Sequence, residues 1–341
     1  MSAYTFTVTK AARLDKALAA LMTATSRSAV QRLIDEGQVT VNGQPRAASH
    51  AVKAGDVLVV NVPEPAPAIA QAEQIALNIL YEDDDVVAVN KAAGMVVHPG
   101  AGNQSGTLAN AILAHDPGIA HVGDPLRPGI VHRLDKETSG IVLLAKTIGA
   151  YNALQAQFKR RAVKKLYLAL CVGDVQPPRG IINKPIGRDP LHRQRMAVMA
   201  GGRESVTRYA VSEVFRLKET RTLRIAGLME QGTREAGIPD AEQHAPEIEL
   251  KKGSVYSFVQ ARPATGRTHQ LRVHFASIGF PIVGDALYGA TRHDALSRAL
   301  APRHLLHASE VVFELPSSGK AIHLYAPLPE DMQRVIDTLG E

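Results

Sequence analysis

Tryptophan is absent from this chain and aromatic residues make up only 4% of it, so any core must be built from Val, Leu, Ile and Ala. There is one cysteine, Cys171. That excludes an internal disulfide and any zinc site that needs several thiolates. Its neighbours, Ala169-Leu170 and Val172, read as a buried strand, which makes it a structural thiol rather than a nucleophile. No apolar run approaches the ~18 residues a membrane-spanning helix requires. The opening residues, Met1-Ser2-Ala3-Tyr4-Thr5, lack the basic-then-apolar layout of a signal peptide, so a cytoplasmic protein with no membrane partner is expected. Also missing are an HExxH pair, clustered Cys/His ligands, a Walker loop and a GxGxxG turn. The thirteen histidines are scattered, which points to hydrogen bonding rather than metal ligation.

What is present is a chain of 341 residues, with room for two or three domains. Hydrophobic residues at 45% and charged residues at 21% are ordinary for a globular protein. The formal charge of +6 favours a polyanionic partner, nucleic acid first.

Residues 1–62 read as a small recognition module, with its compact part at 12–62. Leu14, Leu18 and Leu21 recur at helical spacing. Ser26 or Ser28 can cap a second helix carrying Val30, Leu33 and Ile34, which Gly37 ends. Val39 and Val41 then alternate into Asn42-Gly43, a hairpin signal. Arg13, Lys16, Arg27 and Arg32 lie on this unit, where several share a face with the helix N-termini that is either a solvated face or a phosphate-binding one. Residues 63–76 are Pro/Ala-rich without periodicity and read as a semi-rigid linker. From 77 to 341 helices and strands mix without regular βα alternation, which predicts an α+β domain on a largely antiparallel sheet with flanking helices. Residues 230–249 carry six acidic residues and one basic one, Arg234, and read as a mobile acidic insertion.

The stretch most suggestive of chemistry is His132-Arg133-Leu134-Asp135-Lys136-Glu137-Thr138-Ser139-Gly140. It places Asp135 in a turn between apolar segments, flanked by Arg133 and Lys136. A carboxylate among fixed positive charges stays ionised and can serve as nucleophile or base. Taken alone, the stretch is equally a surface turn with a solvated aspartate.

The module at 1–62 resembles the RNA-binding module named after small-subunit ribosomal protein four. The match is Arg13-Leu14-Asp15-Lys16, Ser26-Arg27-Ser28, Leu33-Ile34, Gly37, Val39-Thr40-Val41-Asn42-Gly43 and Val52-Lys53-Ala54-Gly55-Asp56. Downstream, five stretches occur in order: Asn90-Lys91-Ala92-Ala93-Gly94 to Gly100, His132 to Lys146, Gly266-Arg267-Thr268-His269-Gln270-Leu271-Arg272, Gly284-Asp285-Ala286-Leu287-Tyr288-Gly289, and Leu305-Leu306-His307-Ala308. Together they resemble pseudouridine synthases of the RluA family. With the N-terminal module and His98-Pro99-Gly100-Ala101-Gly102-Asn103 they are most similar to its RluD branch, which acts on large-subunit (23S) ribosomal RNA. Ala92-Ala93 stands where that family commonly has Pro.

The resemblance implies an isomerase that breaks the uridine glycosidic bond, turns the uracil and rejoins it through ring carbon five, with no cofactor. Asp135 would be its catalytic carboxylate, able to stabilise the sugar cation, capture it covalently or remove a neighbouring proton. Arg267 would pair with that carboxylate and fix its rotamer, leaving Arg272 as a phosphate contact. Tyr167 would stack on the flipped uracil and help remove the proton at ring carbon five, and Leu271 would lie beneath the base. Arg133 would fill the space the base vacates, His132 would brace the loop, and Lys91, Lys136, Arg160 and Arg161 would be phosphate contacts. The implied partner is ribosomal RNA, in a pre-ribosomal particle, and the implied state is a monomer. The rival readings are a non-catalytic RNA-binding assembly factor, a hydrolase releasing free uracil, and a synthase acting on other ribosomal sites or on transfer RNA.

Overall fold

Local signals account for the N-terminal helices. Ser26 precedes the helix Arg27–Asp35 in extended conformation, and its hydroxyl accepts the Ala29 N–H at 3.3 Å, satisfying one of the donors a helix start leaves open. Gly37, at φ 72°, ends that helix, and the Gln38 N–H returns to the Leu33 carbonyl. The helix packs its Val30 and Ile34 against Leu14 and Leu18 of the helix Leu14–Leu21. Asn42 and Gly43 both take positive φ, 50° and 80°, as a two-residue hairpin turn with the strand twist requires. Val41 is thereby set opposite Gln44. One strand lies before the compact part read from the sequence: Ser2–Thr7 pairs antiparallel along Val57–Val62 and closes a sheet of four strands.

The computed structural model of the chain describes residues 2–23, 25–62, 69–100, 103–192, 194–224, 247–289 and 295–340. These fall into two units, residues 1–68 and 69–341. The expected linker is therefore shorter than 63–76 on its C-terminal side. Ala70 is buried in the core of the second unit, its N–H donating to the Pro125 carbonyl. Glu73 accepts the Gly106 N–H. The expected acidic insertion lies outside the described residues, except for its end. There Glu247–Leu250 pairs with Arg221–Arg224, so Glu247 to Glu249 belong to a hairpin rather than to an irregular segment.

The second unit is built on a nine-stranded sheet. In spatial order the strands are Arg179–Asn183, Val206–Arg216, Val255–Pro263, Lys164–Val172, Leu306–Glu314, Ser139–Ala145, Val86–Lys91 and Ile79–Glu82, with Ala321–Tyr325 also on Leu306–Glu314. All its pairings are antiparallel except one, between Ser139–Ala145 and Leu306–Glu314. Every residue of Ser139–Ala145 is buried: Val142 and Leu144 face one apolar cluster, Ile141 and Leu143 another. Burial on both faces explains why this strand reads as a continuous apolar run.

The parallel pair sets the site. Gly140 lies opposite Ala308 at φ 113°, so close that an added Cβ would sit 2.3 Å from the Ala308 carbonyl oxygen. Across the sheet at that level run Gly140, Ala308, Tyr167 and Ala261. The loop that carries Asp135 enters this strand directly and therefore opens onto that row.

Candidate active site

Asp135, Tyr167, Arg272, His269 and Leu271 line one cavity of about 540 Å³, a size suited to a small ligand or an extruded nucleotide. The Asp135 side chain is 19% exposed. Its Oδ2 is 3.5 Å from Arg272 Nη1, and its Oδ1 is 4.0 Å from His269 Nε2. At 3.5 Å the guanidinium attracts the carboxylate without a tight hydrogen bond, so the lone pairs of Asp135 remain available to a substrate.

The cation paired with Asp135 is thus Arg272, and the expected pairing with Arg267 is not formed. Arg267 is half-buried at the cavity wall and its Nε donates to the Glu204 carbonyl at 3.1 Å. Its backbone N–H donates to Gln270 Oε1. Arg272, in the helix Gln270–Ser277, is held from behind: its Nε and Nη2 donate to the two oxygens of Asp285 at 2.7 and 2.9 Å. That two-pronged bond leaves Nη1 aimed at Asp135. The Tyr288 ring covers the guanidinium at 5.0 Å. Burial alone would push the Asp285 carboxyl up, but the Arg272 hydrogen bond and charge, with the Tyr288 N–H, hold it below its ordinary value.

His269 precedes the helix in left-handed conformation, φ 56°. Its Nδ1 shares a 2.7 Å hydrogen bond with the Tyr288 hydroxyl, which also accepts the Met196 N–H at 2.8 Å. Burial pushes the His269 imidazole down, opposed by the charge of Asp135. Tyr167 is half-buried on Lys164–Val172, and burial followed by the Asp135 charge raises its phenol. It therefore keeps its proton in the resting site. Leu271 is 5% exposed and packs with Tyr167 in one apolar cluster.

His132 spends its Nε2 accepting the Leu143 N–H at 2.8 Å and stacks on Phe158 at 4.6 Å between centroids. Burial, then the Lys165 charge, lowers it to about 3, so it holds the loop as a neutral ring. Arg133 and Lys136 are exposed. Lys91 departs from its expected role as a phosphate contact. It is 1% exposed, and its Nζ donates to the carbonyls of Ala92, Met95 and Lys136 at 2.7, 2.8 and 3.0 Å. Burial pushes it down to about 7. Its work is to tie the Asp135 loop to the loop at residues 92–95. Arg160 is engaged with Glu314 and Arg161 with Glu204.

In the N-terminal unit Arg13 and Arg27 both bond the buried Asp15, at 3.2 and 2.8 Å. The hydrogen bond from Arg27 leads in holding that carboxyl below its ordinary value against the effect of burial. Lys16 and Arg32 are exposed, Arg32 at 4.0 Å from Glu36. Burial raises the Cys171 thiol. Among the described residues no cluster of three His, Cys, Asp or Glu side chains could hold a metal ion, and no helix is long and apolar enough to cross a membrane.

The residue pattern alone does not single out Asp285, Tyr288 and His269 as parts of the site. The stretch Gly284 to Gly289 was a visible signal, since a lone Asp beside Gly and Tyr in an apolar context points to a buried charge needing a cation.

Residues 85–277 match the family model of RNA pseudouridylate synthase, and residues 12–58 match the S4 domain. The chain is 37% identical over 331 residues to the Bacillus subtilis protein named uncharacterized RNA pseudouridine synthase YlyB, covering 97% of this chain and 95% of that one. It is also 37% identical over 337 residues to the ribosomal large subunit pseudouridine synthase D of Xanthomonas campestris, covering 96% and 89%. Among solved structures, human RNA pseudouridylate synthase domain containing 1 shares the fold. It has a TM-score of 0.52 and 24% identity, covering 82% of this chain and 98% of that one.

Proposed function

The chain belongs to the RNA pseudouridylate synthase family, and on that premise we propose that it isomerises uridine in large-subunit (23S) ribosomal RNA with Asp135 as its catalytic carboxylate. The observation that carries this reading is the convergence of Asp135, Tyr167 and the Asp285-anchored Arg272 on one cavity. Relatives named for the ribosomal large subunit support the substrate.

A uridine inside a helix is out of reach, so the target is flipped out or already in a loop. Uracil enters over Leu271 and stacks on the Tyr167 ring. As the glycosidic bond breaks, positive charge grows on the sugar, and the Asp135 side chain meets it by charge stabilisation, covalent capture or proton removal. The loose 3.5 Å contact with Arg272 lets one carboxylate oxygen turn to the sugar while the other stays oriented. Uracil is retained, turned, and rejoined through carbon five, and the hydrogen lost there is balanced by one gained at ring nitrogen one. No redox change or transferred group is involved, so the reaction needs no cofactor. Tyr167 takes part as a neutral phenol, as platform and hydroxyl, not as a tyrosinate.

Arg133 at the cavity wall and the exposed Lys136 contact the RNA, as do Arg13, Lys16, Arg27 and Arg32 of the S4 domain. The protein acts as a cytoplasmic monomer on the large subunit or its precursor. The test is pseudouridine mapping on 23S RNA and pre-ribosomal particles treated with wild type or Asp135→Asn. New marks with wild type only are expected, with RNA affinity kept in the variant because phosphate contacts dominate binding. Marks with both proteins would remove Asp135 from its role, and marks on transfer RNA alone would move the substrate.

A further inference from the structure

A second cavity, of about 460 Å³, adjoins the Asp135 cavity and shares Arg161, Val163, Lys165, Pro263 and Ala264 with it. It lies where the strands Lys164–Val172, Val206–Arg216 and Val255–Pro263 meet. Five cations line it: Arg161, Lys164, Lys165, Arg208 and Arg262. Of these only Arg161 has an acidic partner among the described residues, Glu204 at 2.9 Å.

Three features of this cluster cost stability in the free protein. Arg208 and Arg262 stand directly opposite each other in the antiparallel register, and like charges so placed repel. Arg161 occupies a left-handed position, φ 60°, just after the helix Ile148–Lys159, where glycine is preferred. Lys165 adds a half-buried ammonium that has lost water without gaining a carboxylate. Its contact is the Phe158 ring, at 5.9 Å, and burial lowers it. Cations held together at a cost, four of the five without a carboxylate partner among the described residues, lose that cost when an anionic chain threads between them.

We infer that this cleft is the track for the phosphodiester backbone of the RNA strand flanking the target uridine, with Arg208 and Arg262 as two of its phosphate contacts. The inference rests on the proposed reaction, since the cleft leads straight into the cavity of Asp135. RNA is favoured over an acidic protein segment because the cleft shares five lining residues with the cavity that takes the target nucleotide, so the strand flanking that nucleotide passes beside it.

The experiment uses the full chain as wild type, Arg208→Ala/Arg262→Ala and Arg208→Lys/Arg262→Lys. Binding to a short oligouridylate is followed across a salt series, alongside pseudouridine formation on 23S RNA. The alanine pair is expected to raise Kd and KM about tenfold or more and to flatten the slope of log K against log salt by about 1.4, two single-strand phosphate contacts' worth. The lysine pair should restore most of the affinity, since phosphate accepts a point charge. Melting temperature should hold or rise in the alanine pair as the repulsion is relieved. An active wild type beside an alanine pair of unchanged affinity and slope overturns the cleft and leaves the reaction standing. A wild type that makes no pseudouridine overturns the reaction, and the slope comparison still decides the cleft: flattening supports it and an unchanged slope removes it.

Discussion

Replacing Asp285 with Asn tests whether the site is aimed from behind. The Asp285 side chain is fully buried. Its Oδ1 accepts from Arg272 Nη2 and from the Leu287 and Tyr288 N–H groups at 2.9, 3.0 and 3.0 Å, and its Oδ2 accepts Arg272 Nε at 2.7 Å. Asparagine keeps the first set and puts an amide donor against Nε. Breaking one side of a buried ion pair costs about 3–5 kcal/mol, and the retained bonds put this isosteric change at the lower end. A loss of about 3 kcal/mol lowers the melting temperature of a domain this large by roughly 6–12 °C. The functional loss is separate. With Nε, one of the two nitrogens that Asp285 anchors, disturbed, the guanidinium drifts relative to Asp135, and a displacement near 1 Å costs about 100-fold in rate. Thermal melts and single-turnover release of tritium from carbon five of labelled uridine, at saturating RNA, read the two effects. Asp285→Ala should be worse in both, since it strips Arg272 of every acceptor there. A variant that melts within about 2 °C of wild type and keeps its rate within twofold, against the ~3 kcal/mol expected for a broken buried pair, would refute the anchoring role.

Two further outcomes follow from buried groups. His132 and His304 are lowered to about 3 and His307 to about 4, in each case chiefly by burial, so the folded state holds them neutral while the unfolded chain takes up protons below about 6.5. The unfolded state binds more protons between those limits, so stability falls as pH drops from about 6.5 towards 3, by up to ~1.4 kcal/mol per pH unit for each histidine. Urea denaturation from pH 7 to 4 checks this, and a flat profile would show that the rings are not held neutral. Lys91→Met should cost roughly 1–3 kcal/mol, because the half-buried Met95 carbonyl loses its charged donor, whereas Ala92 is exposed and the Lys136 carbonyl keeps the Gly94 N–H. It should also lower turnover more than RNA affinity, since Lys91 is shut away from solvent. Filter binding that weakened while turnover held would return Lys91 to the role of a phosphate contact.

The parts of this protein legible in the sequence are those whose physics is local. Ser26 caps, Gly37 stops and Asn42-Gly43 turns through contacts a few residues apart, so the N-terminal helices and hairpin can be read in order along the chain. The apolar run Ile141 to Ala145 announces a strand buried on both faces, and Asp135 stands out as a carboxylate held in a turn before it. Its neighbours across the cavity are a different matter. Arg267 and Arg272 occupy one short motif, and only the left-handed turn at His269 and the helix that follows decide which guanidinium faces Asp135. That choice depends on Asp285, which comes from a separate segment and is brought there by packing. Lys91 reads as a surface cation until three carbonyls from two loops close around its ammonium. The opposition of Arg208 and Arg262 is likewise invisible until two strands some fifty residues apart are set in register. Residue types and local turns are written along the chain, whereas the pairing of charges is settled by which distant segments share a buried volume, because only there does a charge without a partner become costly.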